Sequence, residues 1–121
     1  MRLLRRLRAE PPPTVLWPEF RRALDEPTPD AIAIAPGARI VITEGNYLLL
    51  DRPWWRQVGP LLDEVWYLDA PLGTLRARLI ARQLAGGRSE QDAVRHVDGS
   101  DLPNARLVAT TRAAADRVLR L

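Results

Sequence analysis

The 121 residues are 46% hydrophobic and 27% charged, with 18 basic against 15 acidic side chains and a formal net charge of +3. That balance is one domain of ordinary globular material, neither disordered nor membrane-spanning, able to remove roughly two thirds of its unfolded surface from water. Cysteine is absent and all 18 basic residues are arginine, which excludes disulfides, thiol chemistry and any lysine-dependent step within these residues. An all-arginine set suits phosphate, which the guanidinium fork grips, and equally follows from coding bias. No signal-peptide pattern opens the chain, so a soluble cytoplasmic protein with no membrane contact is expected; the modest charge does not call for nucleic acid.

Met1 to Ala9 carries Leu3, Leu4 and Leu7 at helical spacing with Arg2, Arg5, Arg6 and Arg8 between them, an amphipathic helix or the tail of one. Pro11 to Pro13 end it and impose an extended path on Thr14 to Trp17, a short strand or arm. Phe20, Arg21, Arg22 and Leu24 give a short helical turn at most. Ala31 to Ala35 alternates isoleucine with alanine, a weak strand signal, and Pro36-Gly37 is a turn that reverses it into the next strand as a hairpin.

Ile40, Val41 and Ile42 are β-branched without alternation, the pattern of a strand covered on both faces, and the run stops at Glu44-Gly45. Ligands of open α/β sheets gather beyond the carboxyl ends of the strands, which makes Glu44 a candidate site acid. Such an acid can equally cap the strand or pair with an arginine. Trp54, Trp55, Val58 and Leu61 to Leu62 follow as a turn or two of helix, with one tryptophan in the core and the other half-covering a groove. Glu64 to Asp69 repeats the earlier design as a second buried strand ending in an acid.

Pro71 opens a helix lined by Leu72, Leu75, Leu79 and Leu84 that runs to Gly86-Gly87. Arg78 and Arg82, four apart, share a face of it. After Arg88, Ser89 and Asp92 form a capping pattern for a second helix that Gly99 should stop. Asp101, Pro103 and Asn104 start a third helix through about Thr110, and Asp116 to Leu121 closes as a strand. The order of elements points to a single α/β layer fold with a mostly parallel sheet: a helix tail over 1–10, an extended arm over 11–38, and a core over 39–121 whose lid helices lie about 71–97.

Acids at the ends of two buried strands, with Arg78, Arg82 and Arg88 on a helix and a glycine-bounded loop, suit phosphoryl transfer, where cations neutralise charge on the phosphate oxygens. The alternative for the arginines is a solvated helix face. His96, the sole histidine, has neither a second histidine nor a cysteine with which to share a metal.

The order Val41-Ile42-Thr43-Glu44-Gly45-Asn46-Tyr47, Asp63-Glu64-Val65-Trp66-Tyr67-Leu68-Asp69, Arg78-Leu79-Ile80-Ala81-Arg82 through Gly87-Arg88-Ser89, and Pro103-Asn104-Ala105-Arg106-Leu107 resembles the uridine kinase and pantothenate kinase-like branch of P-loop kinases. The resemblance implies a partial P-loop NTPase-type layer fold and an ATP-dependent transferase that phosphorylates a small-molecule hydroxyl on a nucleoside, pantothenate or a sugar. It further implies that Glu44 is the catalytic acid at the Walker B position supporting magnesium, that Arg78, Arg82 and Arg88 approach the ATP phosphates, and that Asn104 borders the nucleotide base. The resemblance spans roughly residues 15 to 121 and departs from the family in two ways: nothing before Arg39 can be the glycine-rich loop ending in Gly-Lys-Ser/Thr or the strand bearing a catalytic aspartate, and Arg21 follows Phe20 where this branch has an aspartate. In the family the phosphate-loop strand lies between the two buried strands, so its absence leaves two apolar edges to be filled by an amino-terminal half or by a second copy. The chain alone is therefore expected to be inactive. The competing readings are a non-catalytic remnant serving as a binding or dimerisation module, and a basic adaptor using its amino-terminal arginines on RNA or anionic lipid.

Overall fold

The computed structural model describes residues 1–9, 11, 13–21 and 26–121, without the side chain of Phe20. It divides into two compact units, Met1–Gly45 and Asn46–Leu121.

In the first unit, α1 (Arg2–Leu7) is the expected short helix. Leu3, Leu4 and Leu7 form its less exposed side, and Arg6 Nη2 donates to the Thr14 carbonyl at 3.3 Å. Beyond the prolines, β1 (Val15–Arg21) pairs antiparallel with β2 (Glu26–Ile34). Phe20 and Arg21, read from the sequence as part of a helical turn, instead extend β1; Arg22 and Leu24 lie outside the described residues. The register runs from Val15 opposite Ile34 to Trp17 opposite Ile32, then resumes with Glu19 opposite Thr28. Pro18 alone therefore faces 29–31. Proline cannot donate to a ladder and is tolerated at such a bulge, where Asp30 takes up the extra chain at φ 54°. Val15 is fully buried.

The strand expected over Ile40 to Glu44 does not form. The Pro36-Gly37 turn is present, closed by Ala38 N–H to the Ala35 carbonyl at 3.0 Å, but β2 is already paired with β1 and no second strand meets residues 40–44 among the described residues. Ile40 and Ile42 are left 80% and 89% exposed. Their composition suits a covered strand, but a strand also needs a hydrogen-bonded neighbour.

The second unit is a β-α-β crossover. β3 (Trp66–Asp69) and β4 (Arg117–Arg120) run parallel, with Trp66 opposite Arg117 and Asp69 opposite Arg120. Asp116 fixes the start of the pair: its carboxylate accepts from Val65 N–H at 2.7 Å, while its own N–H reaches the Val65 carbonyl at 2.9 Å. β3 is not buried on both faces as its composition suggested: Trp66 and Leu68, which share one face, are 53% and 60% exposed, and β4 is the one strand it pairs with among the described residues.

Between the strands, α2 (Leu72–Ala85) ends at the glycine pair as expected, with Gly87 at φ 88°, a conformation that disfavours any side chain. α3 (Glu90–His96) opens on Ser89, whose hydroxyl accepts from Asp92 N–H at 3.2 Å and donates to its carboxylate at 2.7 Å. Gly99 does not stop this helix. The chain widens into one π-helical turn over Val97–Asp101 and continues as α4 (Leu102–Ala109). The wide turn comes directly before Pro103, whose ring would otherwise collide with the carbonyl four residues back, so the irregularity lets one helical path cross a proline. Ala93, Val97 and Leu102 are buried along that path, with Leu50, Val58 and Thr111 elsewhere in the unit.

Candidate functional site

The cationic part of the site is carried by α2 and the turn after it. The glycine pair gives the chain its turn, and the Ser89 cap starts the next helix, so Arg88 is held between two fixed ends. Arg78 and Arg82 are exposed on α2, and among the described residues neither has a carboxylate partner. Arg76 on the same helix differs: its Nε and Nη2 reach the two Asp98 oxygens at 2.7 and 2.8 Å, clamping α2 to the π-helical turn. The hydrogen bond and the charge of Arg76 hold the Asp98 carboxyl below its usual range.

Arg88, Asp92, Arg95 and His96 line an open cavity of about 330 Å³. Asp92 is committed to Ser89 and Arg95, and these contacts, that of Ser89 foremost, lower its pKa. His96 Nε2 lies 3.7 Å from Asp101. Asp69, the acid that ends β3, is 3.2 Å from Arg112 and is held in an ion pair.

Asn104 lies in the first turn of α4, partly buried, and its Oδ1 accepts a hydrogen bond from the hydroxyl of Tyr47, 57 residues away. The Tyr47 ring packs against Trp55 with centroids 5.1 Å apart at 57°. Of the two adjacent tryptophans, Trp54 is 82% exposed and Trp55 40%, so neither is a core residue; Trp55 supports Tyr47. Nothing in the local sequence assigns Tyr47 a role. A lone tyrosine in a turn carries no periodic signal, and its partner lies far along the chain.

Glu44, exposed, ends the first unit. The structure thus brings Arg88 together with Arg95 and His96, and Tyr47 with Asn104, while Glu44 stands in the other unit. No three His, Asp or Glu side chains gather to hold a metal among the described residues. One carboxylate with water and phosphate oxygens is an ordinary magnesium environment, so Glu44 fits a shared role and not sole custody of the ion. Two guanidinium groups one turn apart, with no carboxylate partner among the described residues, fit phosphate oxygens. The backbone cradle and lysine that would complete a phosphate site are not among these residues.

A parallel β-α-β unit with exposed arginines on its crossover helix defines an α/β layer fold. No protein-family model matches the sequence. Individual proteins do. A Schizosaccharomyces pombe protein provisionally named a uridine kinase is 36% identical over 105 residues, 85% of this chain and 45% of its own length. A crystal structure from Silicibacter sp. TM1040, provisionally described as a fructose transport system kinase, superposes with a TM-score of 0.80 at 39% identity over 88% of this chain and 52% of that one. YFH7 of Saccharomyces cerevisiae, provisionally described as a P-loop kinase with a circular permutation, gives a TM-score of 0.72 at 28% identity over 89% of this chain and 35% of that one. Over the stretch it shares with them, the chain is similar to the uridine kinase-like branch of the P-loop kinases. It spans about half the length, or less, of the relatives it matches. Other relatives are named as an ATP-dependent kinase and an ATP-dependent kinase-like protein, and no described helix is long and apolar enough to cross a membrane.

Proposed function

We propose that the chain supplies the Walker B acid, the phosphate-facing lid and the base contact of an ATP-dependent small-molecule kinase. The observation that carries this reading is the pair Arg78 and Arg82, exposed, one turn apart on the crossover helix of a parallel β-α-β unit and without a carboxylate partner among the described residues. Arg78, Arg82 and Arg88 neutralise charge on the phosphate oxygens, Asn104 borders the base, and Glu44 orients water around a magnesium ion shared with the nucleotide. Bound ATP and magnesium supply the transferable phosphoryl group and its charge neutralisation. The acceptor is a hydroxyl of a nucleoside, pantothenate or a sugar; two relatives bear names pointing to uridine and fructose.

The 121-residue chain alone has little or no kinase activity, because it contains no lysine to reach the β- and γ-phosphates. The test is radiolabelled phosphoryl transfer by the purified chain to uridine, pantothenate and fructose. No product above a protein-free blank is expected, and turnover that co-purifies with the chain and is lost in R78Q/R82Q would overturn the inactivity.

The exposed Trp66 and Leu68 on β3 favour a second reading, a non-catalytic module that completes its sheet with a second copy or an amino-terminal half. Light scattering during size exclusion separates the two occupants: a dimer supports self-pairing, and a well-behaved monomer refutes it.

A further inference from the structure

The open cavity of about 330 Å³ is lined by Arg88, Asp92, Arg95 and His96, and by neither Arg78 nor Arg82. Helical spacing gathers Asp92, Arg95 and His96 on one face of α3. Asp92 leaves no free carboxylate there: Oδ2 accepts from the Ser89 hydroxyl at 2.7 Å, and Oδ1 accepts from Nη2 of Arg95. The rest of the Arg95 fork, Nε and Nη1, has no partner among the described residues, and Arg88 has no carboxylate within ion-pair reach among them. His96 Nε2, 3.7 Å from Asp101, is outside hydrogen-bond distance. Two guanidinium groups therefore share the cavity with one carboxylate whose oxygens are already engaged, and an imidazole adds a further donor. The excess of charge and of free N–H groups suits an oxyanion.

We propose that this face binds the phosphate group of a phosphorylated small molecule, at a site apart from the ATP phosphates met by Arg78 and Arg82. A phosphate monoester carries about two negative charges and three acceptor oxygens, which match the forks of Arg88 and Arg95 and the His96 ring. The cavity is of the size that small-molecule sites occupy. That the molecule is the phosphoryl acceptor rests on the kinase reading above; the site itself does not. On that reading the acceptor is a sugar phosphate or a nucleoside monophosphate, in preference to a free sugar, a nucleoside or pantothenate. It arrives with one phosphate and leaves with two: its hydroxyl oxygen bonds to the γ-phosphorus, the bond from that phosphorus to the β,γ-bridging oxygen breaks, the hydroxyl proton is released, and ADP departs. Arg88 then neutralises charge on both substrates, while Arg95 and His96 serve the acceptor alone.

The test is a titration of the ¹⁵N-labelled chain, followed by NMR at the arginine Nε and histidine ring signals, at an ionic strength held constant with chloride. The probes are inorganic phosphate, fructose 1-phosphate and uridine monophosphate, with fructose, uridine and Mg-ATP as comparisons. Saturable shifts at Arg88, Arg95 and His96 are expected with phosphate and with at least one ester, the ester binding at least as tightly; fructose and uridine are expected to shift none of the three. R88Q and R95Q should each weaken the ester about tenfold or more, and H96A about fivefold. Because R95Q also breaks the pair with Asp92, R88Q carries the comparison: Arg88 is exposed, so its variant should bind less with an unmoved thermal melt. Full affinity in both R88Q and R95Q, shifts that fall equally on Arg2, Arg5, Arg6 and Arg8, or phosphate binding with both esters excluded overturns the proposal. Mg-ATP that displaces the ester and shifts Arg95 and His96 also overturns it, since the site would then belong to the nucleotide. Ester binding with no response of Arg78 and Arg82 to Mg-ATP supports the site and overturns the kinase reading instead.

Discussion

Val97 sits at the join of α3 and the π-helical turn with no exposed surface, and the path through it carries both Arg88 and Asn104. Val97→Ala removes two methyl groups from that interior. At about 0.8 kcal/mol per buried carbon the transfer loss is about 1.6 kcal/mol, and a residual void of some tens of Å³ adds about 0.5–1 kcal/mol. Alanine recovers about 0.5 kcal/mol through better helix propensity, leaving a net cost of about 2 kcal/mol. Ile42→Ala removes more carbon from a side chain that is 89% exposed, and should cost less than about 0.5 kcal/mol. Urea unfolding followed by circular dichroism at 222 nm, with the slope checked for constancy, measures both. A cost below about 0.5 kcal/mol for V97A, or an I42A variant as costly as V97A, would refute the packing described here.

Ser89→Ala removes the cap of α3 and should cost about 1 kcal/mol with a loss of helical signal; an unchanged melt would contradict the cap. Asp98 is held below its usual carboxyl range by Arg76, so its contribution is present at neutral pH and is lost as pH falls through that lowered value. D98N should therefore be less stable than wild type at pH 7, and the gap should close on acidification; a gap that stays constant to pH 2 would remove the clamp from the account. R78Q and R82Q should each weaken Mg-ATP binding about tenfold or more, as loss of a charge-assisted hydrogen bond does, while leaving the melting temperature unmoved because both side chains are exposed; equal loss of stability and affinity would make them structural.

Local pattern carried much of the fold. The leucine spacing of α2, its glycine stop, the Ser89 cap and the closing strand after Asp116 were all legible, because each depends on residues within a turn or two. What failed depended on partners. Ile40 to Ile42 has the composition of a covered strand, yet among the described residues no neighbouring strand meets it, and β3 reads as doubly buried and has one neighbour. Gly99 looked like a stop because a helix that continues through a π-helical turn to clear Pro103 has no signature at the glycine itself. Of the candidate site, the shared face of Arg78 and Arg82 followed from their spacing, Glu44 was singled out by its place after an apolar run, and the expected role of Asn104 came from the resemblance alone. The Tyr47 hydroxyl and the Arg76–Asp98 clamp join residues 57 and 22 positions apart, separations that no local period reveals.

The measurement that bears most directly on the chain as the acid, lid and base-contact portion of a kinase is a ¹⁵N NMR titration with Mg-ATP that resolves the arginine Nε and asparagine Nδ2 signals. Saturable shifts at Arg78, Arg82, Arg88 and Asn104, with the amino-terminal arginines of α1 unmoved, are the result expected. Shifts confined to Arg2, Arg5, Arg6 and Arg8, or no saturable shift at all, would contradict it.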